Sequence, residues 1–164
     1  MSWTTEFLES SAFKVKNTDE VREVLICMGF ATDLKDGFLS FYSQDNEYFD
    51  EDTEVVLSLK PFTREGETKP TNIIGIISDS CIESVDLSEL EEGTYMVQSI
   101  TEYLQDQLID EKQYITITNV GFEGRMSGNS NPFGDIYFIT KNTVKFSSLY
   151  ATEQKFKEEC GITE

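Results

Sequence analysis

Histidine is missing altogether. Without it no Ser-His-Asp or Cys-His nucleophile pair can be assembled, no histidine-bearing zinc site, and no imidazole switch near neutral pH. Cysteine is scarce. Cys27, Cys81 and Cys160 stand too far apart for CxxC chemistry, and their odd number argues for reduced thiols rather than a disulfide scaffold. Long apolar runs are lacking too. The best stretch, Ile73–Ile77, is interrupted by Gly75 and is far too short to span a bilayer. The start, MSWTTEFLESS, has neither the basic nor the apolar region of a signal peptide, so a cytoplasmic location is expected.

Positive charge is the largest deficit. Thirteen Lys and Arg face 31 Asp and Glu, a net charge of −18 over 164 residues. The imbalance is local. Residues 1–111 hold 25 acids and 7 bases, whereas residues 112–164 hold 6 of each. Between Lys69 and Lys112 there is no base, yet ten carboxylates occur. A second run, QDNEYFDEDTE, carries Asp45, Glu47, Asp50, Glu51, Asp52 and Glu54 with no basic neighbour. Such asymmetry points to a partner of opposite sign. The 12 Phe and 7 Tyr are too many for a disordered acidic tail, and the length suits one folded domain spanning 1–164.

Periodicity places the elements. SAFKVK alternates as a short strand, with Phe13 and Val15 on one face. NTDEVREVLICMGF reads as a helix. Asn17 and Glu20 stand at capping-box spacing, Val21, Val24, Leu25 and Met28 form the stripe, and Gly29 sits at C′. GFLSFYS follows a turn at 35–37 as a strand, TEVVLSLKPF is another ended by Pro61, and a connecting loop is expected over 63–72. NIIGIIS reads as a buried strand bulged at Gly75. TYMVQSITEYLQDQLIDE reads as a second helix capped by Thr94, with Met96, Val97, Ile100, Leu104 and Leu108 inward and Glu102 and Asp106 outward. QYITITNV, GDIYFIT and NTVKFSSLY are strands, with a tight turn at 141–143, and ATEQKFKEECG closes as a short helix. The expected class is α+β, with two or three helices packed on a largely antiparallel sheet.

No motif names a reaction. GFEGRMSGNSNPFGD is rich in glycine but matches neither phosphate-binding spacing and precedes a strand, so a long hairpin loop is expected. Counted from Asp45, the EF-hand positions for Gly and Glu hold Asp50 and Val56, so the calcium pattern fails. Paired carboxylates without a supporting signature do not specify an acid–base enzyme. The expectation is a protein that is no enzyme and uses no cofactor or metal. Phe38, Phe41, Tyr42, Tyr48 and Phe49 read as core residues on alternate strand positions.

Charge therefore carries the functional reading. A folded surface of carboxylates competes for grooves whose Lys and Arg evolved to hold phosphates. Acids at i and i+4 on a helix lie about 6 Å apart along its axis. One DNA strand presents a charge every ~3.4 Å, so several segments must combine. In size and composition the chain resembles the acidic DNA-mimic proteins that phages and plasmids carry against restriction or CRISPR nucleases, and the immunity proteins that neutralise basic nuclease toxins. That resemblance implies a basic nucleic-acid-binding protein or nuclease as partner, with no direct contact to nucleic acid or membrane. The expected contacts are Asp45, Glu47, Asp50, Glu51, Asp52 and Glu54, then Glu83, Asp86, Glu89, Glu91, Glu92, Glu102 and Asp106. The competing expectation is an accessory subunit whose acidity serves solubility and whose partner meets the C-terminal sheet near Phe122, Arg125, Met126 and Phe133.

Overall fold

A computed structural model describes residues 2–43, 48–79, 84–125, 130–148 and 153–162, with the side chains of 2–6, 121–125, 130–133, 148 and 153–156 outside the description. In chain order the elements are β1 (Ser2–Ser10), α1 (Thr18–Cys27), β2 (Ala31–Lys35), β3 (Phe38–Ser43), β4 (Glu54–Phe62), β5 (Thr71–Ile77), a 3₁₀ turn (Leu87–Glu89), β6 (Tyr95–Ser99), α2 (Ile100–Gln107), β7 (Tyr114–Arg125), β8 (Ser130–Thr140), β9 (Val144–Ser148) and α3 (Glu153–Cys160). The strands form a six-stranded sheet, ordered β2-β3-β1-β7-β8-β9, and a three-stranded sheet, ordered β5-β4-β6. Every pairing is antiparallel, and the fold is α+β as expected.

One core serves both sheets. Val21, Val24 and Leu25 of α1, with Ile100, Tyr103 and Leu104 of α2, pack with Val55 and Ile73 of the small sheet. Leu8, Leu39, Phe41, Ile115, Ile117 and Ile139 complete this cluster from one face of the large sheet. On the opposite face Ile136 and Phe138 form a smaller cluster with Tyr114, Cys160 and Ile162, which α3 helps to close.

The first helix begins where its cap predicts: Asn17 Oδ1 accepts the Glu20 N–H at 3.1 Å. Glu20 does not complete the box. Its carboxylate instead accepts the Tyr103 hydroxyl and the Gln107 amide of α2, both at 2.8 Å, while the Asn17 N–H turns to Gln107 Oε1 at 3.2 Å. Burial, reinforced by the Glu20 charge, pushes the Tyr103 phenol well above its ordinary range. A local capping motif has become a clamp between helices.

Several expectations need correction. Phe13 and Val15 are buried on alternate positions, but they make isolated bridges to Leu39 and Leu108 rather than a strand. The segment ATDLK, not foreseen as an element, is β2. It pairs with β3 through a two-residue turn in which Asp36 (φ 53°) and Gly37 (φ 83°) both take the left-handed conformation that a type I′ hairpin demands. The second helix starts five residues later than its apolar stripe suggests. Tyr95–Ser99 pairs with β4, Met96 is 44% exposed, and Ser99 rather than Thr94 caps α2 by accepting the Glu102 N–H. The unpaired edge of β4 takes precedence there over helix propensity.

β4 continues through Pro61 to Phe62, where the register with β5 is already broken and a ladder N–H is not needed. The bulge lies one residue before Gly75: Val56 pairs with Gly75 and Leu57 with Ile73, leaving Ile74 as the extra residue. Gly75 is small for a different reason. A Cβ there would stand 2.6 Å from Val85 Cγ2, because residues 84–86 cross β5 with the Val85 N–H bonded to Ile76 O. The expected long loop after β7 is mostly strand, since β7 and β8 stay in register out to Gly124 and Ser130, and residues 126–129 lie outside the described residues. Among the described residues no helix is long and apolar enough to cross a membrane.

Leu104 is fully buried and Glu102 exposed on the same helix. Leu104→Ala should cost about 2–5 kcal/mol of stability. Ser99→Ala should cost about 1 kcal/mol, and Glu102→Ala less than about 0.5 kcal/mol. Urea unfolding of the three variants checks this order, and equal midpoint shifts for Leu104 and Glu102 would overturn the helix phase.

Candidate functional site

The acidic run between β3 and β4 is described from Tyr48 onward. Phe49 is only 4% exposed and sets its ring edge-on to Tyr137 of β8, with centroids 5.2 Å apart. The residues after it form a tight turn. Asp50 Oδ1 accepts the Asp52 N–H at 2.9 Å, an Asx arrangement, and the Thr53 N–H bonds Asp50 O at 3.1 Å. Asp50 Oδ2 also accepts the Ser78 hydroxyl at 3.4 Å, and Thr53 O accepts the Ile100 N–H at 2.9 Å. The turn is thereby tied to the end of β5 and the start of α2.

Cross-strand register explains what the turn faces. Leu8 pairs with Asn119, Asn119 with Asp135, Ile117 with Tyr137, and Tyr137 with Phe146. Directly opposed antiparallel residues share a face, so all of these lie on the core side of the large sheet, at its margin. Together with Tyr48, Phe49, Asp50, Glu51 and Asp52 they line a cleft of about 380 Å³. Buried Leu8 and Ile117 close its floor, Tyr137 and Phe146 stack obliquely with centroids 4.8 Å apart, and no Lys or Arg is among the described residues that line it. Tyr48 and Phe146 are each 55% exposed.

The electrostatics follow from the geometry. Burial first, then the charges of Glu51, Asp135, Asp50 and Asp52, push the Tyr137 phenol up to about 12. Ionising it would add a fifth negative charge among four. Among the described residues no group of three carboxylates or thiols is placed to hold a metal ion together. The acids therefore border one aromatic cleft without converging on one point.

The other expected contact residues scatter. Glu54 is exposed at the first position of β4, between Ile77 and Ser99 of the flanking strands. Asp86 caps the 3₁₀ turn, where the Ser88 hydroxyl and N–H, at 2.7 and 3.0 Å, hold its carboxyl below its usual range; Glu89 is exposed beside it. Glu91 and Glu92 are exposed in the turn before β6, whose Thr94 O accepts the Leu59 N–H. Leu59 is five residues along β4 from Glu54, roughly 17 Å at the rise of a strand. Glu102 and Asp106 lie one turn apart on the exposed face of α2, and Asp106 accepts the Gln98 amide. Asp45, Glu47 and Glu83 lie outside the described residues, as do the side chains of Phe122, Arg125, Met126 and Phe133.

The sequence reading missed Asp135, Tyr137 and Phe146, all in the charge-balanced C-terminal third. Their signal was the alternation of GDIYFIT, which puts Asp135 and Tyr137 on one face. Charge counting passed over a lone acid there. Of the five aromatics read as core, Phe41 and Phe49 are buried, whereas Phe38, Tyr42 and Tyr48 are exposed. Comparison of this chain with protein-family models, curated proteins and solved structures finds no match.

With burial and the surrounding carboxylates pushing its phenol up to about 12, Tyr137 should ionise later than a free tyrosine, whose pKa is about 10. The unfolded chain loses that proton first, so this group's contribution to stability is present below about pH 10 and is lost as the pH rises toward 12. An ultraviolet titration of tyrosinate checks it: Tyr137→Phe should remove a late step, and Asp135→Asn should move that step to lower pH.

Proposed function

We propose that the protein is an acidic inhibitor, which binds a basic nucleic-acid-handling protein and occupies the groove meant for nucleic acid. The observation that carries this reading is the meeting of Asp50, Glu51 and Asp52 with Asp135 around a single cleft, with no base among the described residues that line it. A groove selected to neutralise phosphates attracts any rigid array of anions, and its counterions are released whichever ligand enters. Rigidity favours binding here, because a turn pinned by Phe49 and Thr53 loses little conformational freedom on association.

The exposed acids continue from the cleft in two directions. Glu54 leads toward Ser99 and the outer face of α2, and Ser78, bonded to Asp50, leads to Asp79. Glu91 and Glu92, roughly 17 Å away along β4, suit the rim of a larger footprint better than its centre. The proposed partner is a nuclease or another basic nucleic-acid-binding protein, of the class met by anti-restriction, anti-CRISPR and immunity proteins. The proposal includes no catalysis and no cofactor, and like charge excludes DNA or RNA as a direct ligand.

Competition is the test. Titrating the protein into a basic partner loaded with its nucleic acid should displace the nucleic acid, and the association rate should fall steeply once salt shortens the Debye length to about 8 Å. Changing Asp50, Glu51 and Asp52 together to Lys should weaken binding about a hundredfold, near 3 kcal/mol, whereas Lys60→Glu should change it little. Simultaneous binding of both ligands, with weak salt dependence, would instead establish the accessory-subunit reading.

A further inference from the structure

We infer that the cleft beside the acidic turn is the seat of one arginine side chain from the partner's surface, whose guanidinium lies against Phe146 and Tyr137 and bonds the carboxylates of the turn and Asp135. The inference rests on the inhibitor reading and names the group that anchors it. Three features of the cleft point to that occupant together. It has aromatic walls, with Phe146 more than half exposed against Tyr137, and Tyr48 among the lining residues as well. Its floor of Leu8 and Ile117 is closed, so the exposed rings of Phe146 and Tyr48 are the apolar surface left for a methylene stem. Its border is anionic, with no base among the described residues that line it.

Each feature alone admits other occupants. A hydrated metal ion has no use for aromatic faces, and three ligating groups do not come together for it among the described residues. An apolar side chain would cover the bordering carboxylates without offering them a partner. A lysine ammonium satisfies charge as a compact point but stays strongly hydrated. Guanidinium is planar, weakly hydrated, stacks on rings and offers five donors to carboxylates that surround it rather than converge. At about 380 Å³ the cleft lies at the small end of ligand pockets and has room for one arginine side chain.

The test uses the full chain and two probes of equal length and charge, an oligo-arginine and an oligo-lysine peptide, with affinities read by calorimetry. The arginine peptide should bind about two- to five-fold more tightly, the range of an exposed cation–π contact. Phe146→Leu keeps apolar bulk at an exposed position but removes the ring. It should erase that preference while leaving the lysine peptide's affinity unchanged. Asp135→Asn should weaken both peptides. Equal affinities for the unaltered chain, or an arginine preference that survives Phe146→Leu, would overturn the inference. Neither result touches the inhibitor reading, which fails separately if nucleic acid and this protein bind the partner together.

Discussion

Burial of one ring, Phe49, holds the acidic turn against a sheet from which its own charge repels it. Asp50, Glu51 and Asp52 are consecutive acids brought close to Asp135, with no base among the described residues lining the cleft. Like charges about 4 Å apart in water repel by roughly 1 kcal/mol, and less when farther apart or screened. Removing a phenylalanine side chain from water contributes about 1.5–3 kcal/mol, before its contact with Tyr137 is counted. The apolar term therefore offsets the electrostatic one while the carboxylates stay hydrated at the border. The backbone bonds of Thr53 to Asp50 and Ile100 then fix the direction in which those acids point.

That anchoring works because the large sheet is rigid where Phe49 meets it. β7 is paired along its length, with β1 on one side and β8 on the other, so Ile117 and its neighbour Tyr137 are held from both directions. The small sheet, α1 and α2 share the same core, and the Glu20–Tyr103–Gln107 clamp fixes one helix against the other. A carboxylate clamped by a buried phenol and an amide is a structural acid, unlike those bordering the cleft. Glu23 is another: it pairs with Arg64 at 2.7 Å and accepts the Thr71 hydroxyl at 2.8 Å, tying α1 to β5 and the loop before it. Two of the acids counted toward the net charge thus hold the protein together, and the exposed ones are left to face outward.

The cleft draws on both of the regions that the two functional expectations kept apart. One placed the partner on the acidic N-terminal two-thirds, the other on the neutral C-terminal sheet. The fold lays the acidic turn upon that sheet, so carboxylates from the first region and aromatic rings from the second border the same depression. At protein interfaces rings supply contact area, and charges supply orientation and association rate.

Local patterns determined the elements whose neighbours agree with them. Asn17, the Val21–Val24–Leu25 stripe and Gly29 specify α1 with both ends, strict alternation specifies β7 over 114–120, and the strand-forming runs on either side of the turn at 141–143 specify β8 and β9. The surplus of carboxylates and the lack of histidine were equally plain, since composition does not depend on folding. What only the tertiary structure decided were the cases in which a distant strand competed with a local preference. Tyr95–Ser99 carries a helical stripe yet pairs with β4 as a strand, ATDLK has little apolar content yet pairs with β3, and a supposed loop continues as β7 and β8. The cleft belongs with these. Asp135 lies more than eighty residues from Asp50 in the chain, and only the pairing register and the burial of Phe49 bring their charges together. Backbone hydrogen bonds between strands and the exclusion of water from a ring act across any sequence separation, and no local period encodes them.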